Sequence, residues 1–293
     1  MVGKNFMTRV ILISERTRLA TEIAKEGGEE AVRRNYEKGV FDSDLLHPDR
    51  LYKAELLQVR QCISSQGFSL VDCLRHEAQS FVFRDDDIVI ILGDDGAFVN
   101  IAKLLKSQKV VTIRTETKHC GRLMKFTVES FKKSATSLLS GGSQCIKVSI
   151  AKAETSSGHT LEAVSDFFVG RADLRSSRYA VLLGVNAFSQ ISSGVIVSTG
   201  TGSTGWEKSA CLLDDTYKER EPDDEMLTVI TRELCYGEYL GTMRHIKSIT
   251  FRSDDNDTRV LADGVLLDGA MLLLPAGTTV TITANSRAVR LCV

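Results

Sequence analysis

This 293-residue sequence has no apolar run long enough to cross a membrane; its longest ones are strand-sized. It has no small-residue cleavage site in "MVGKNFMTRVILIS", so Val10 to Ile13 is expected as a first strand, not a signal peptide, and the protein is expected in the cytoplasm. It has almost no net charge, −1, and no long basic run, which leaves nothing to support nucleic-acid binding by bulk electrostatics. Its cysteines (62, 73, 120, 145, 211, 235 and 292) form no C-x-x-C, the usage of a reduced protein in which Cys is a small core hydrophobe. The histidines show no pair at metal-ligand spacing, so no residue is assigned to a metal and a structural zinc site is not expected. No internal repeat is visible.

What remains is an ordinary globular composition, 43% hydrophobic and 26% charged, at a length suited to two domains. Toward the N-terminus strand-like and helix-like segments alternate. "RVILIS" (Arg9–Ser14) reads as a strand, and residues 16–36 as helix broken at Gly27 and Gly28. A helix is expected to start at Pro48 and Asp49 and to run through Leu51–Ser64. "FSLVD", "DIVIILG" and "KVVTIR" read as strands, with "FVNIAKLLKSQ" as the helix after the second. This rhythm predicts a parallel sheet covered by helices. From about Ser140 the chain breaks into short β-rich runs. The expected organisation is an α/β domain over 1–135 and a β-rich, sandwich-like domain over 136–293, the last segment packing back on the first domain. A helix is expected at Glu207–Leu213, and "DDTYKEREPDDE" (Asp214–Glu225) as a solvated loop.

Two stretches call for a chemical explanation. "VIILGDDGAFVN" ends a strand on Gly93, Asp94, Asp95 and Gly96 just before a helix. In a parallel α/β sheet, ligands bind beyond the carboxyl ends of strands. Glycines there admit a phosphate or sugar close to the backbone, a helix N-terminus favours an anion, and a carboxylate can accept a hydroxyl proton. Asp and Gly are also ordinary turn residues, as in "RDDD" at 84–87, which reads as a plain turn. "VIVSTGTGSTGW" adds Ser198, Thr199, Thr201 and Ser203 among glycines at a second strand end. Small hydroxyls beside open backbone suit phosphates and riboses. The stretch is neither a Walker A loop nor G-x-G-x-x-G.

These two stretches, in this order, resemble the NAD kinases, which carry a "GGDG" turn in an N-terminal α/β domain and a "TGSTAY"-like turn in a C-terminal β-rich domain. The likeness is clearest from Asp87 to Trp206, and "SSRY" with "SSG" (Ser176–Tyr179, Ser192–Gly194) looks closer to the mitochondrial-type and a bacterial branch than to the commonest bacterial enzymes. The resemblance implies that Asp95 is the general base toward the ribose 2′-hydroxyl of NAD, flanked by Gly93 and Gly96. It puts Ser165 and Asp166 at the adenine end, and Thr201, Gly202, Ser203 and Thr204 in the dinucleotide-contacting turn. It sets Trp206 at the family's tyrosine and Asp263 and Gly264 at a "DG" turn. Gly121, Arg122, Leu123 and Phe126 match a glycine-containing segment, Phe126 as a nucleotide contact; Arg178 and Ser193 are further candidates to line the site. Asp94 replaces a family glycine, Ala97 a threonine, Ser165 an asparagine and Ser193 an aspartate.

The implied activity is ATP-dependent phosphorylation of NAD, with ATP and Mg²⁺ as cofactors and NAD as substrate, in a cleft between the domains. The implied partners are small nucleotides, with no nucleic acid and no membrane, in a homo-oligomer. Asp94 is either a second acidic contact or a turn residue, and Trp206 either stacks on ligand or packs the protein. Arg122 is a candidate phosphate contact; His119 and His159 are read as loop histidines. The rival readings are a lipid or sphingoid-base kinase, whose "GT.ND.AR"-like stretch is absent, and a nucleotide sensor that has lost turnover.

Overall fold

An unbroken apolar run is stable as a strand only where both of its faces are covered. Val10, Ile11, Leu12 and Ile13 are all buried, in β1 (Arg9–Ser14). The computed structural model describes residues 8–39, 45–116, 121–140, 142–173, 175–264 and 271–293. His119 and Cys120 lie outside the described residues. The chain divides into two units, 1–146 with 290–293, and 147–289. No described helix is long and apolar enough to cross a membrane.

In the first unit β1 is followed by α1 (Arg18–Glu26), α2 (Glu29–Glu37), α3 (Leu46–Ser65), β2 (Ser69–Leu74), β3 (Ile88–Gly93), α4 (Asp95–Ala102), β4 (Lys109–Arg114), β5 (Phe126–Thr127) and α5 (Val128–Ser140). The strands lie in the order β2-β1-β3-β4-β5, all parallel, so every carboxyl end falls on one edge of the sheet. Val10, Leu12, Ile90 and Val111 pack against Val59 and Ile63 of α3 and Phe131 of α5. The chain's last residues extend the sheet: Arg290 pairs with Lys109 and Leu291 with Val110, in parallel.

Several sequence expectations shift here. α3 starts at Leu46, ahead of Pro48. A proline is compatible with a first turn, because the N–H it lacks has no partner there. The helix after Gly93 starts at Asp95 and ends at Ala102, short of "KLLKSQ". There Leu104 and Leu105 donate to the carbonyls three residues back, Leu105 is buried, and Gln108 Oε1 accepts from Lys106 N at 2.7 Å. The "RDDD" turn is a turn, yet its Asp87 is buried and pairs with Arg9 at 2.6 Å. Cys73, Cys211 and Cys292 are buried as expected, whereas Cys235 is exposed.

The second unit carries β6 (Cys145–Thr155), β7 (Thr160–Ala163), β8 (Asp166–Arg171), β9 (Ser177–Leu183), β10 (Asn186–Ser192), β11 (Val195–Ser198), α6 (Trp206–Ala210), β12 (Leu227–Thr231), β13 (Tyr236–Gly237), β14 (Thr242–Ile246), β15 (Ser248–Ser253), β16 (Thr258–Ala262), β17 (Met271–Leu274) and β18 (Thr279–Cys292). One antiparallel layer runs β13-β10-β9-β15-β18 and the other β14-β12-β11-β8-β16-β17. Alternate side chains of both layers meet in a core that includes Phe167, Val169, Val181, Val197, Phe251 and Ile282. This is sandwich packing. α6 is shorter than the expected Glu207–Leu213, leaving Leu212 and Leu213 exposed. A tighter turn over Thr201–Thr204 precedes it.

Candidate functional site

Asp95 stands at the carboxyl-end edge of the parallel sheet of the first unit, at the first position of α4. Asp94 occupies the N-cap: its Oδ1 accepts from Ala97 N at 2.9 Å. That is the usual use of an aspartate at this position and accounts for the residue without a ligand. Asp95 is half-buried. The main-chain amides of Leu123, Gly121 and Met124 donate to its carboxylate, and Gly121 is so close that a Cβ there would collide with Asp95 Oδ2. Its Oδ1 is buried and makes no hydrogen bond among the described residues. Burial raises the Asp95 carboxyl above the ordinary carboxylate range; the three amides pull it down and Asp94 pushes it up, and the net result is a rise. Gly93 lies under Glu15, whose Oε1 is 3.1 Å from where a Cβ on Gly93 would sit, and Gly96 is exposed in the first turn of α4. Phe126 packs against the core of this unit.

The second unit gathers most of the other expected residues around one bend. Asp263 adopts a left-handed conformation, φ +57°. Its Oδ1 accepts from Ser165 N at 2.7 Å and Val164 N at 3.1 Å, while its own N–H donates to Asp166 O at 2.8 Å. Thr199 Oγ1 donates to Val164 O at 2.6 Å. Asp263 and Thr199 therefore hold the Val164–Asp166 bend from either side. Gly202 lies directly under it, with no room for a Cβ below Ser165 O. Ser203 Oγ donates to Gly200 O at 2.7 Å and Thr204 Oγ1 to Thr201 O at 3.2 Å, so both hydroxyls are used inside the turn. Thr201 Oγ1 is buried and makes no hydrogen bond among the described residues. The Asp166 carboxyl is pushed up to about 7 by burial, with Asp263 and Glu207 adding to the rise.

Trp206 opens α6 and stacks on Phe168, ring centroids 5.8 Å apart, and the Arg232 guanidinium lies over the Trp206 ring, 5.3 Å from its centroid. Ser193 N donates to Arg232 O at 3.0 Å, which ties Ser193 to this stack. Gly264 follows Asp263 with φ +66° and is exposed. Arg178 is exposed on β9 in the other layer, where its carbonyl accepts from Asp254 N at 3.0 Å.

No family model matches the chain. The NAD kinase of Colwellia psychrerythraea is 30% identical over 131 residues, 42% of this chain and 44% of that protein. The NAD kinase of Pseudoalteromonas translucida is 28% identical over 152 residues, 49% of this chain and 51% of that one. The chain spans about half the length of the curated relatives it matches. Among solved structures, yeast NADH kinase complexed with NADH superposes with a TM-score of 0.64 at 12% identity, covering 98% of this chain and 84% of that one. The fold is NAD kinase-like. An NAD kinase from Archaeoglobus fulgidus in complex with ATP gives 0.62 at 14% identity, over 97% and 93%. At these identities the structural likeness is one of fold.

Within this NAD kinase-like fold, the loop read as merely solvated is a clamp on the hydroxyl turn. Arg220 Nη2 donates to Glu207 Oε2 at 2.9 Å, Thr199 O at 2.8 Å and Ser198 O at 3.2 Å, and Arg220 N donates to Ser203 Oγ at 2.8 Å. Tyr217 OH donates to Ser203 O, and Glu221 O fills the space a Cβ on Gly200 would need. A buried carboxylate at Glu207 needs such a partner, and in "DDTYKEREPDDE" nothing but the lone arginine among acidic residues hinted at it.

Proposed function

We propose that the chain transfers the γ-phosphoryl group of ATP to the 2′-hydroxyl of NAD or NADH, with Asp95 as general base. The observation that carries this reading is the half-buried Asp95 carboxylate at a strand end and helix start, raised by burial and with Oδ1 unpartnered among the described residues. A base so raised is closer to the operating pH, where proton transfer is most effective. The names of the curated relatives and of the superposed structures support the choice of substrates. Asp95 accepts the 2′-hydroxyl proton, the freed oxygen forms the bond to the γ-phosphorus, and the bond from that phosphorus to the bridging oxygen breaks, releasing ADP. The proton then passes from Asp95 to solvent. The protein positions the groups; it forms no covalent bond to substrate.

The dinucleotide would be received by the Val164–Asp166 bend, the Thr201–Thr204 turn and the Trp206 face, where the unpartnered Thr201 hydroxyl is satisfied by a ligand oxygen. Among the described residues no group of three or more His, Cys, Asp or Glu is placed to hold a metal. Mg²⁺ typically binds through one or two carboxylates and the substrate's phosphates, so it enters here with ATP, as part of the donor.

Purified protein incubated with ATP, Mg²⁺ and NAD or NADH should yield NADP or NADPH, detected with an NADP-specific dehydrogenase. Asp95→Asn should lower kcat by about 10²- to 10⁴-fold, while thermal-shift titration with NAD shows binding retained. A folded parent protein that forms no NADP or NADPH would overturn the reading. If NAD still raised its melting temperature, the nucleotide-sensor alternative would stand in its place.

A further inference from the structure

We propose that Thr112 is a positioning residue for Asp95: its buried hydroxyl fastens the main-chain arch that donates to the Asp95 carboxylate. The inference rests on reading Asp95 as the base and adds a residue that no motif pointed to.

Thr112 lies in β4 between Val111 and Ile113, all three fully buried. A hydroxyl among such neighbours is unfavourable unless its hydrogen bonds are made, and valine would fill the same volume without that demand. Here both are made, and to one short segment. Thr112 Oγ1 donates to Leu123 O at 2.6 Å and accepts from Lys125 N at 3.0 Å. Residues 121–125 form neither helix nor strand, so no regular ladder holds them. Yet the amides of Leu123, Gly121 and Met124 are the donors to Asp95. Thr112 therefore grips the arch on both sides of Met124, at Leu123 and Lys125, while Asp95 receives the amides of Leu123, Met124 and Gly121, where a Cβ would collide with its carboxylate.

Removing the hydroxyl leaves the Leu123 carbonyl and the Lys125 amide without their partner and lets the arch relax from Asp95. Among the described residues, the charged groups on the surrounding elements include Asp94 on the same turn, Glu15 beyond Gly93, and Arg122 and Lys125 in the arch. Asp94 acts on the Asp95 carboxyl, raising it, and the three amides lower it. Loss of amide contacts therefore moves the titration of Asp95 upward, and with it the acid limb of the rate profile.

The test compares the full-length parent, Thr112→Val and Thr112→Ser by ¹³C NMR of carboxyl-labelled aspartate, with the Asp95 signal assigned from Asp95→Asn. Steady-state kinetics with ATP and NAD accompany the titrations. Thr112→Val should titrate Asp95 at higher pH and lose about tenfold to a hundredfold in kcat with KM little changed; Thr112→Ser should follow the parent in both. A Thr112→Val protein that titrates and turns over like the parent overturns the proposal. So does one that merely melts lower with the Asp95 titration unmoved. Should Thr112→Val fail to fold, Thr112→Ser and Thr112→Cys, both lacking the methyl group, carry the comparison: serine must keep the parent titration and cysteine must not. A parent that makes no NADP or NADPH sinks the phosphoryl-transfer reading, while the titrations still decide the role of Thr112.

Discussion

Two aspartates of this chain sit in surroundings that oppose their ionisation, for different reasons. Asp95 keeps three amide donors, so burial is partly offset; Asp166 is almost wholly buried and faces Asp263 and Glu207. Asp166 has a consequence for stability. Below the ordinary carboxylate value the group is protonated in both states. Between that value and about 7 the folded protein keeps a proton that the unfolded chain has released, so stability falls as pH rises. The slope is at most about 1.4 kcal/mol per pH unit, and above about 7 the loss is complete. Asp166→Asn should remove this decline, seen as urea midpoints that change less with pH across the range than the parent's. Equal pH dependence in the two proteins would contradict the assignment.

At the scale of the element, the hydroxyl turn gains its rigidity from outside itself. Ser203 and Thr204 close it locally, but Arg220 and Tyr217 reach it from the following loop. Glu207 is 1% exposed, so removing Arg220 strands a buried charge. Arg220→Ala should cost about 3–5 kcal/mol of stability, measured by chemical denaturation, and, under the proposed function, should weaken NAD binding through the displaced turn. This clamp was illegible in the sequence because an acidic, turn-rich segment has the composition of any solvated loop. Legible by contrast were the strands "VIILG" and "VIVS" and the turns ending them. An apolar run stopped by glycine, aspartate or small hydroxyls has few local alternatives. Helix ends were less legible: "KLLKSQ" has helical residues, but burial of Leu105 and the Gln108 contact prevail there.

At the scale of the whole molecule, the C-terminus is part of the first unit. Leu291 and Cys292 are fully buried there, and Leu291 sits beside Val110 of β4. Leu291→Ala should therefore destabilise the protein by about 2–5 kcal/mol, a loss visible in equilibrium unfolding and far beyond that of a frayed terminal residue.

The sequence alone determined the two-part organisation, the parallel sheet, the β-rich second half and the turns that carry Asp95 and Thr201–Thr204. All of these follow from local periodicity and from turn residues with few conformational choices. Only the tertiary structure decided what surrounds those turns. The arch from Gly121 to Lys125, its anchor at Thr112, the Asp263 contacts to the Val164–Asp166 bend and the Arg220 clamp join residues distant in the chain or held by side chains of another element. Hydrogen bonding of that kind leaves no period in a sequence, because its geometry exists only once the chain has folded.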